Sequence, residues 1–329
     1  MITAAQRRII ETHAYVPEHL PRYVEAITGA QPHMFGDYLA YAAGDRLIFV
    51  GYPLVGAYDE ATWLAALEAA LARLRPRLVA VMSAALPAPL DDRPASSPDA
   101  YYRLDLSDVR PDKKLRNLLR RADRELTIGE TNRFGPEHER LVAAFLADTP
   151  VDADTRFIFE RVGQYAGAQG GMASGVEALI GLATRAYNRL KSLMRQSASP
   201  PYPPLLGGEG VGAALLLEAR DAAGRLVAFD IATCGGEYAF YLFNFRSREH
   251  YVPGASDLLL ARLIELARAA GKRYLNLGLG INAGVRGFKE KWGARPFLTH
   301  VACTWERPRP AWEEMWAAVR PGLTARAGE

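Results

Sequence analysis

The segment from Val211 to Trp305 constrains the fold most, because its elements follow one another with clear punctuation. Three β-rich runs are joined by the short turns DAAGR and GG, which is the pattern of an antiparallel meander. A helix then opens at VPGASD and ends at Gly271, and a buried strand follows it. A glycine-rich loop, a short helix over 285–292 and a strand over 297–305 complete the segment. This order predicts a mixed sheet in which one helix connects two neighbouring strands.

Residues 1–135 also alternate between strand-like and helical patterns. The strands have β-rich composition, each helix has one apolar face, and turn residues separate them. The predicted elements are strands over 38–43, 46–52, 78–83 and 101–106, a helix capped by Asp59 and a helix opened by Pro111. This second alternation predicts a second α/β half in the same chain.

The length of the chain fits two packed units. It has 329 residues, of which 49% are hydrophobic, and that is enough to fill two cores. We predict an N-terminal half over 1–135, a helical insert over 136–196, and a C-terminal catalytic half with a tail over 211–329. The stretch SASPPYPPLLGGEG over 197–210 is predicted to be a linker, because proline removes backbone donors and glycine loosens the chain.

Composition narrows the class of protein. The net charge of +3 is too small to imply a nucleic-acid partner by itself. No apolar run approaches the roughly 18–20 residues that a membrane span needs, so we expect a cytoplasmic protein. Cys234 and Cys303 have neither metal-type nor redox-type spacing, and we interpret them as reduced core residues.

Positive charge is nevertheless concentrated on one predicted helix. From Arg110 to Arg124 the stretch RPDKKLRNLLRRADR contains seven basic residues and two acidic ones. Arg116, Arg120 and Arg124 recur at i, i+4 spacing and share the face opposite the leucines. Such a face binds a phosphorylated acceptor or the acceptor stem of tRNA, or it is simply solvated.

The start of the helix after VPGASD has the chemistry of an anion site. The N–H groups of Gly254, Ala255 and Ser256 lie at a helix N-terminus, which carries about half a positive charge. Such a terminus suits a pyrophosphate or a polarised carbonyl group. Pro-Gly before Ser-Asp is equally an ordinary helix start, in which Ser256 and Asp257 form the cap.

The element order over 211–305 resembles the core of the GCN5-related N-acetyltransferase (GNAT) fold. VPGASDLLLARLIELARAAGKRYLNLGL is similar to the segment in which a backbone-amide loop of that fold opens a helix, and NAGVRGFKEKWGA is similar to its Asn-to-Tyr helix. Two positions depart from the members that use acetyl-CoA. Tyr251 stands where Arg or Gln is typical, and Phe288 replaces a tyrosine that protonates a departing thiolate.

These departures, together with the pattern FK-x-x-aromatic-Gly over 288–293, resemble the FemABX-like group, in which two GNAT-like halves share one chain. The upstream segment YYRLDLSDVRPDKKLRNLLRRADREL is similar to the strand and Arg-rich helix of that group. Its known members move an amino acid from aminoacyl-tRNA onto an amine of a cell-wall precursor or related peptide. The resemblance implies the same fold and the same type of reaction.

Two residues are candidates for catalysis. The FemABX-like resemblance implies that Lys289 stabilises the oxyanion or the leaving group; otherwise it is a solvated helix lysine like Lys291. Asp230 interrupts the apolar strand LVAFDIAT, where a carboxylate costs several kcal/mol unless it is paired or functional. Asp230 is therefore a base with a raised pKa, a member of a salt bridge, or an outward-facing residue.

Further donor-binding candidates lie near the same loop. Arg248, with Arg246 and Asn244, follows the third strand of the meander, where contacts to phosphate would be useful and solvation is the alternative. Asn282 matches the loop asparagine of GNAT proteins. Asparagine in a Gly-rich loop also serves simply to form a turn.

The sequence as a whole predicts a mixed α/β protein with two GNAT-like halves and a helical insert between them. We expect it to transfer an acyl or aminoacyl group to an amine of a small molecule, a peptide or a cell-envelope-type acceptor. The donor is expected to be a co-substrate, aminoacyl-tRNA or alternatively acyl-CoA, and we expect no tightly bound cofactor and no metal. An alternative from another class is a non-catalytic pair that binds peptide or RNA.

Overall fold

The computed structural model describes residues 2–87, 90, 98–131, 133–167 and 212–307. Within them the chain forms two compact units. The first unit comprises the described residues of 31–97 and 301–307, and the second those of 2–30 and 98–300. Both units combine helices with strands, so the predicted mixed α/β class is confirmed.

The described helices and strands follow one another in mixed order. The helices are α1 (Ala4–His13), α2 (Pro21–Thr28), α3 (Glu60–Leu74), α4 (Lys113–Glu125), α5 (Pro136–Asp148), α6 (Ala153–Phe159), α7 (Val162–Gly167), α8 (Ala255–Ala269) and α9 (Ala283–Glu290). The strands are β1 (Gln31–Phe35), β2 (Tyr38–Ala43), β3 (Arg46–Gly51), β4 (Leu78–Ser83), β5 (Asp99–Asp105), β6 (Leu126–Thr131), β7 (Leu215–Asp221), β8 (Leu226–Gly235), β9 (Tyr238–Arg246), β10 (Tyr274–Leu279) and β11 (Arg295–Glu306). A 3₁₀ turn over Pro17–His19 separates α1 from α2.

The first unit is a sheet with one crossover helix. Its strand order is β1-β2-β3-β4-β11, and only β3 and β4 run parallel among these described strands. α3 connects them and buries Trp63, Leu67 and Ala70 against the sheet. Asp59 caps α3 by accepting a hydrogen bond from the backbone N–H of Thr62 at 2.9 Å, as predicted.

The second unit is a larger mixed sheet with helices on both faces. Its strand order is β11-β5-β10-β9-β8-β7-β6, in which β9 and β10 run parallel and the other described pairs are antiparallel. α8 connects β9 to β10 and packs one face of the sheet through Leu259, Leu260 and Leu263. α5 and α7 contribute to a second core on the opposite face, around Phe229 and Phe245.

Most of the predicted elements are confirmed, with shifts at their ends. The meander is β7–β9, and the helix and buried strand after it are α8 and β10. Pro111 does not open α4, because Asp112 is the N-cap and accepts from the N–H of Leu115 at 2.7 Å. Leu126, which fits the apolar stripe of α4, instead starts β6 and pairs with Asp221. A stripe at helical spacing cannot tell where the chain leaves the helix for a neighbouring strand.

Sequence reasoning missed several elements in the first 35 residues and at the edge of the second sheet. α2 has an apolar face that includes Val24 and Ile27, whereas the edge strands β1 and β6 have no clear alternation of their own. Each is stabilised by its neighbours: β1 pairs with β2, and β6 pairs with β7 along Leu126–Thr131. Tertiary pairing overrides weak local preference at such edges.

The compact units do not follow the domain boundaries predicted from sequence. Residues 98–135 fall with the second unit, because β5 pairs with β10 and α4 packs against α8. The described part of the predicted insert, 136–167, is helical as α5, α6 and α7, and it also falls in the second unit. The rest of the insert and the predicted linker over 197–210 lie outside the described residues.

The described part of the chain contains neither a membrane-spanning helix nor a cluster of metal ligands. None of its helices is long and apolar enough to cross a bilayer. Its His, Cys, Asp and Glu side chains form no group of three or more that could hold a metal ion. Cys303 is buried and Cys234 is half-buried, and both are free thiols.

Candidate active site

The two parallel strands of the second unit separate partway along their length. The last residue pair between them is Asn276 with Phe240. Beyond this pair β9 continues to Arg246 and β10 to Leu279, and no pairing joins those described stretches. Backbone groups without a strand partner need another one, and an extended ligand can supply it. We call this separation the β9–β10 opening.

Asn276 stands at the vertex of the opening and is 1% exposed. Its Nδ2 donates to the backbone oxygen of Tyr15 at 2.7 Å, and its Oδ1 accepts from the N–H of Gly278 at 2.7 Å. The register of β10 against β5 shifts between Asn276 and Leu279, and Gly278 has a φ of 74°. A local irregularity of this kind turns a strand away from its neighbour. The asparagine side chain stabilises the backbone where β10 leaves β9.

Helix α8 begins beside the opening, at the end of the loop that follows β9. Its N-cap is Gly254, with a φ of 87°, and no described side chain caps the helix. A Cβ on Gly254 would lie 2.9 Å from Cγ of Leu118, so glycine satisfies both the backbone angle and the packing. The prediction that Ser256 and Asp257 cap α8 is wrong, because both residues lie inside the first turn. The N–H of Ala255 donates to the backbone oxygen of Val252 at 3.2 Å, so the N–H groups of Ser256 and Asp257 are the ones that this turn offers to an anion.

Asp230, in strand β8, is connected to this first turn by a chain of hydrogen bonds. Nδ2 of Asn244 donates to Oδ1 of Asp230 at 2.6 Å, and Oγ of Ser256 donates to Oδ1 of Asn244 at 2.9 Å. The Asp230 side chain is fully buried. Burial raises its pKa well above the ordinary value, while hydrogen bonds from Asn244 and Tyr241 act in the opposite direction. The structure thus brings two predicted site residues, Asp230 and Ser256, into one network.

Asp257 links α8 to the segment GFKEKWG over 287–293. Asp257 is 5% exposed, and its carboxylate accepts a hydrogen bond from Nε1 of Trp292 at 2.9 Å. Nζ of Lys291 lies 2.6 Å from the same carboxylate. Lys291, which looks like a solvated helix lysine in the sequence, is therefore in an ion pair with a buried aspartate. These contacts hold the end of α9 against the start of α8.

Lys289 is buried between α9 and the end of β10. It is 3% exposed, and its Nζ donates to the backbone oxygen of Leu279. The ammonium lies 5.7 Å from the centre of the Tyr102 ring. Burial lowers the pKa of Lys289 to about 7, and the nearby charge of Asp99 opposes that shift. A solvated lysine is excluded, and this amine exchanges its proton near neutral pH.

Phe288, the neighbour of Lys289, packs its ring on Tyr241 with the ring centres 6.4 Å apart. Tyr241 in turn is a hydrogen-bond partner of Asp230, and its own pKa is raised well above the ordinary value, chiefly by burial. Ring contact and hydrogen bond therefore join α9, β9 and β8. The two predicted catalytic residues, Lys289 and Asp230, are connected through this packing.

The remaining donor-binding candidates are engaged in local structure. Arg248 is 64% exposed and lies 3.6 Å from Oδ2 of Asp148 at the end of α5. Asn282 is the N-cap of α9, and its Oδ1 accepts from the N–H of Val285 at 3.0 Å. The structure therefore gives each of them a structural contact, and their part in donor binding stays a prediction.

The predicted basic face is the outer face of α4. Arg116, Arg120 and Arg124 are all exposed. The opposite face packs against α8, where Leu118 and Ala122 approach Gly254. The basic side chains are thus carried by the helix that supports the start of α8. Whether they bind phosphate stays a prediction.

No protein-family model matches the chain, and no curated protein is similar to it in sequence. FemX matches over 92% of this chain and 96% of its own, at 12% identity and a TM-score of 0.51. The chain has a FemX-like fold. At this identity the likeness concerns the fold alone, and it confirms the fold that the FemABX-like resemblance implies.

Two other solved structures cover similar shares of the chain. The C-terminal domain of a putative lysylphosphatidylglycerol synthetase from Agrobacterium fabrum matches at 14% identity, over 95% of this chain and 95% of its own, with a TM-score of 0.48. A GCN5-related N-acetyltransferase from Kribbella flavida matches at 12% identity, over 88% of this chain and 95% of its own, with a TM-score of 0.46. Both scores are lower than that of FemX.

Sequence reasoning missed residues of this FemX-like fold that come from distant elements. Asp99, at the start of β5, accepts from the backbone N–H groups of Gly280 at 3.2 Å and Ile281 at 2.8 Å. It thereby holds the loop GLGINAG that precedes α9. Tyr102 forms one wall of the Lys289 site. Neither residue carries a motif, and the only available signal was the strand-like run that contains them.

Proposed function

We propose that the protein is an acyltransferase that moves an acyl or aminoacyl group from a carrier to an amine at the β9–β10 opening. One observation carries this proposal: two parallel strands separate between a helix N-terminus without a side-chain cap and a buried lysine whose pKa is lowered to about 7. The first feature suits an anionic carrier and the second suits proton transfer at its reactive end. The FemX-like fold supports the proposal by analogy only.

The carrier would lie along the edge of β9 that β10 leaves unpaired. Its amide or hydroxyl groups would replace the missing strand partner, and its phosphate would bind the N–H groups at the start of α8. Ser256 belongs to that start, and Asn244 holds its side chain in place. We assign the donor-binding role to Gly254, Ala255 and Ser256.

Lys289 would act on the reacting carbonyl and its leaving group. The neutral amine of the acceptor attacks the carbonyl carbon, and the oxyanion that forms is stabilised by the lysine cation. When the carbonyl–oxygen or carbonyl–sulfur bond breaks, Lys289 gives its proton to the departing atom. The lysine regains a proton from the positively charged nitrogen of the new bond. A pKa of about 7 suits an amine that gives and regains a proton in one cycle.

Asp230 fits a positioning role better than direct contact with the acceptor. Its carboxyl is fully buried and reaches the donor loop only through Asn244. Asp230→Asn would keep the shape and an acceptor for Asn244, but it removes the negative charge and replaces one carboxylate oxygen by an N–H donor. We expect the variant to weaken donor binding, and therefore to raise KM for the donor more than it lowers kcat. A lower kcat with an unchanged KM for the donor would instead favour Asp230 as the base.

Aminoacyl-tRNA is our proposed donor, because the basic face of α4 lies on the helix that packs against Gly254. Arg116, Arg120 and Arg124 would contact the phosphates of a nucleic acid whose acyl end enters the opening. Phe288 stands where acetyl-CoA users have a tyrosine acid, which agrees with a donor other than a thioester. The proposed acceptor is an amine of a peptide or a cell-envelope-type molecule.

The donor can be identified directly. The protein is incubated with a pool of tRNA charged with labelled amino acids, or with labelled acetyl-CoA, in the presence of hydroxylamine as a small amine acceptor. We expect labelled hydroxamate to form from the charged tRNA faster than in the same mixture without the protein, because hydroxylamine also cleaves these esters slowly by itself, and prior RNase treatment should abolish the difference. If the hydroxamate is instead labelled from acetyl-CoA, with an equal amount of free thiol, the donor is acyl-CoA and the acyl-transfer proposal still holds.

A matched variant separates specific RNA binding from charge alone. Arg116→Gln with Arg120→Gln should raise KM for charged tRNA, and the difference from the unaltered protein should shrink as the salt concentration rises, because the variant has fewer phosphate contacts to lose. Arg7→Gln with Arg8→Gln removes two arginines of α1 instead and should leave KM unchanged. If donor is bound but never consumed by the unaltered protein, the acyltransferase proposal fails and a binding protein remains.

A further inference from the structure

We propose that Arg103 and Arg295 bind an anionic group, a carboxylate or a phosphate, that the acceptor carries besides its amine. The inference rests on the proposed acyl transfer and names the chemistry of the acceptor. The two arginines face each other across strands β5 and β11, where the register pairs Arg295 with Arg103. Side chains at directly opposite positions are about 5 Å apart at Cβ, and like charges there repel each other.

Arg103 is held in place by three aromatic residues. Cζ of its guanidinium lies 4.2 Å from the centre of the Tyr274 ring and 4.9 Å from that of the Phe297 ring. Its Nη1 donates to the hydroxyl of Tyr238 at 3.0 Å. A guanidinium fixed in this way loses little conformational freedom when it binds a ligand.

Both arginines keep donors for such a ligand. Nε and Nη2 of Arg103 form no hydrogen bond with a described residue, and neither nitrogen is buried without a partner, so both reach solvent. Arg295 is exposed, and no carboxylate of the described residues lies within ion-pair distance of either arginine. A guanidinium binds a carboxylate or a phosphate through parallel N–H donors. An anion between the two side chains would also relieve their mutual repulsion.

Two carboxylates lie in the same region and are engaged with other groups. Asp105 accepts from the N–H and the hydroxyl of Ser107 at 3.0 Å and 2.6 Å. These bonds chiefly lower the pKa of Asp105, and the charges of Arg273 and Arg103 contribute less. Glu237 lies 4.0 Å from Arg273. Together with Arg295, three arginines stand against these two carboxylates, and the positive excess complements an anionic acceptor.

The arginine pair adjoins the vertex of the β9–β10 opening. Arg103 pairs in register with Asn276, so both side chains lie on the same face of the sheet. Leu104 and Leu275, their neighbours along the two strands, belong to the core cluster that packs with α8. Neighbouring side chains of a strand point to opposite faces. An acceptor anchored at Arg103 would thus reach the opening from the face opposite α8, where the donor does not bind.

Stability separates this role from a structural one. Because Arg295 repels Arg103 and has no described partner, Arg295→Gln should leave the urea midpoint of unfolding unchanged or raise it. A lowered midpoint would mean that Arg295 serves the fold, and it would overturn the assignment of this residue to a ligand.

NMR of the full chain with isotope-labelled arginine tests the site without any acyl donor. The Nε–Hε signals are assigned with Arg103→Gln and Arg295→Gln, and the probes are γ-aminobutyrate and O-phosphoethanolamine. We expect saturable shifts of both arginine signals, and saturation by one probe at lower concentration identifies the preferred anion. n-Butylammonium chloride at the same ionic strength should cause no saturable shift. If the three compounds act alike, the pair is not an anion site.

Kinetics test whether the anion belongs to the acceptor. With the donor identified above, the amine that saturates the NMR signals should have a lower KM than n-butylamine. Arg103→Gln should raise the KM of that anionic amine by about 10-fold and leave the KM values of n-butylamine and of the donor unchanged. If the KM of the donor rises instead, the pair binds the donor, and the proposal for the acceptor is wrong.

Arg161→Gln is the matched control for a stacked arginine. Cζ of Arg161 lies 3.6 Å from the centre of the Phe157 ring, and its Nη1 donates to the backbone oxygen of Phe157. This variant should behave like the unaltered protein in both assays. An equal loss in Arg161→Gln and Arg103→Gln would reveal an effect of overall charge and overturn the site. If the unaltered protein consumes no donor, the acyl-transfer proposal fails, whereas the NMR titration still decides whether the pair binds an anion.

Discussion

The two units contain the same arrangement, a strand, a crossover helix and a parallel strand, and they use it differently. In the first unit β3 and β4 pair along their whole length, from Arg46↔Leu78 to Gly51↔Ser83. In the second unit β9 and β10 stop pairing after Asn276. The first pair is closed and the second is open.

Specific side chains account for the difference. Nε1 of Trp63 donates to Oγ of Ser83 at 3.2 Å, and Oγ of Ser83 donates to the backbone oxygen of Gly51 at 3.2 Å. These bonds join α3 to the ends of both strands. In the second unit the last residue of β10 that pairs with β9 is Asn276, and its Oδ1 accepts from the N–H of Gly278 in the same strand instead.

The starts of the two crossover helices differ in the same sense. Asp59 caps α3, whereas α8 begins at Gly254 without a side-chain cap among the described residues. A capped helix start has satisfied its N–H groups and offers less to a ligand. We therefore place the proposed site in the second unit.

The largest expected effect concerns the buried lysine of the open unit. Lys289→Met should lower kcat by roughly 100- to 1,000-fold, because the oxyanion and the leaving group lose their cation. Lys289→Arg keeps the charge but cannot release a proton near neutral pH, so it should recover only part of the loss. Arg286→Met, on the exposed side of the same helix, should retain full activity. The rate of transfer to hydroxylamine measures the activity of all three variants. If Lys289→Met is fully active, the proposed site does not lie in this unit.

The closed unit should depend on Gly51 for stability. An alanine Cβ there would meet Nε1 of Trp63, and it would lie 2.8 Å from Oγ of Ser83 and 2.9 Å from the backbone oxygen of Met82. We expect Gly51→Ala to lower the free energy of unfolding by about 3 kcal/mol, because the buried Trp63 ring and the backbone of Met82 cannot move aside. Urea titration measures the change.

Gly129→Ala is the matched control for Gly51→Ala. Gly129 lies in strand β6, and a Cβ there would have no atom within 4 Å. Its free energy of unfolding should change by less than about 0.5 kcal/mol. Equal effects of the two substitutions would show that the junction of Trp63, Ser83 and Gly51 does not hold the closed pair together.

The buried Lys289 should lower the free energy of unfolding of the protein, and the size of this reduction should depend on pH. Lys289 gives up its proton at a pKa of about 7 in the folded chain and near its ordinary pKa of 10.5 in the unfolded chain. Between these values the unfolded chain binds the extra proton, so the stability contributed by this group rises with pH and is lowest below the folded pKa. Relative to Lys289→Met, the unaltered protein should gain up to about 2 kcal/mol between about pH 7.5 and pH 9. Urea titrations at both pH values measure the gain, and parallel pH dependence would show that Lys289 keeps its proton.

The smallest effect is expected at the capped helix start. Asp59→Ala removes the acceptor of the Thr62 N–H and should cost about 1 kcal/mol of unfolding free energy. Ser256→Ala, at the start without a cap, should cost less than that and should raise KM for the donor. Thermal unfolding and donor titration give the two values. A costlier Ser256→Ala than Asp59→Ala would mean that Ser256 serves the fold rather than a ligand.

Local pattern predicted much of this fold. The runs that became β2, β3, β4 and the meander β7–β9 have alternating or apolar composition, and turn residues limit each of them. The start of α8 was placed correctly to within two residues, because Pro-Gly breaks the preceding loop. Elements with weak patterns of their own, such as β6, were missed because their stability comes from pairing with a neighbour.

The site was only partly predictable for the same physical reason. The FemABX-like resemblance singled out Lys289, but its burial and lowered pKa depend on β10, β5 and Tyr102, which the local sequence does not report. Asp257 appeared as a helix cap, and its carboxylate instead binds Trp292 because α9 packs on α8. The hydrogen bond between Arg103 and Tyr238 joins residues that are 135 positions apart.

The sequence by itself determined the kinds of element, their order, and the presence of an anion-type helix start beside a lysine-bearing segment. These features depend on backbone preference and on side-chain periodicity within a few residues of each other. Only the tertiary structure decided which parallel pair closes and which opens. That outcome depends on single hydrogen bonds at strand ends, from Ser83 in one unit and from Asn276 in the other, and such bonds form only after distant strands have paired.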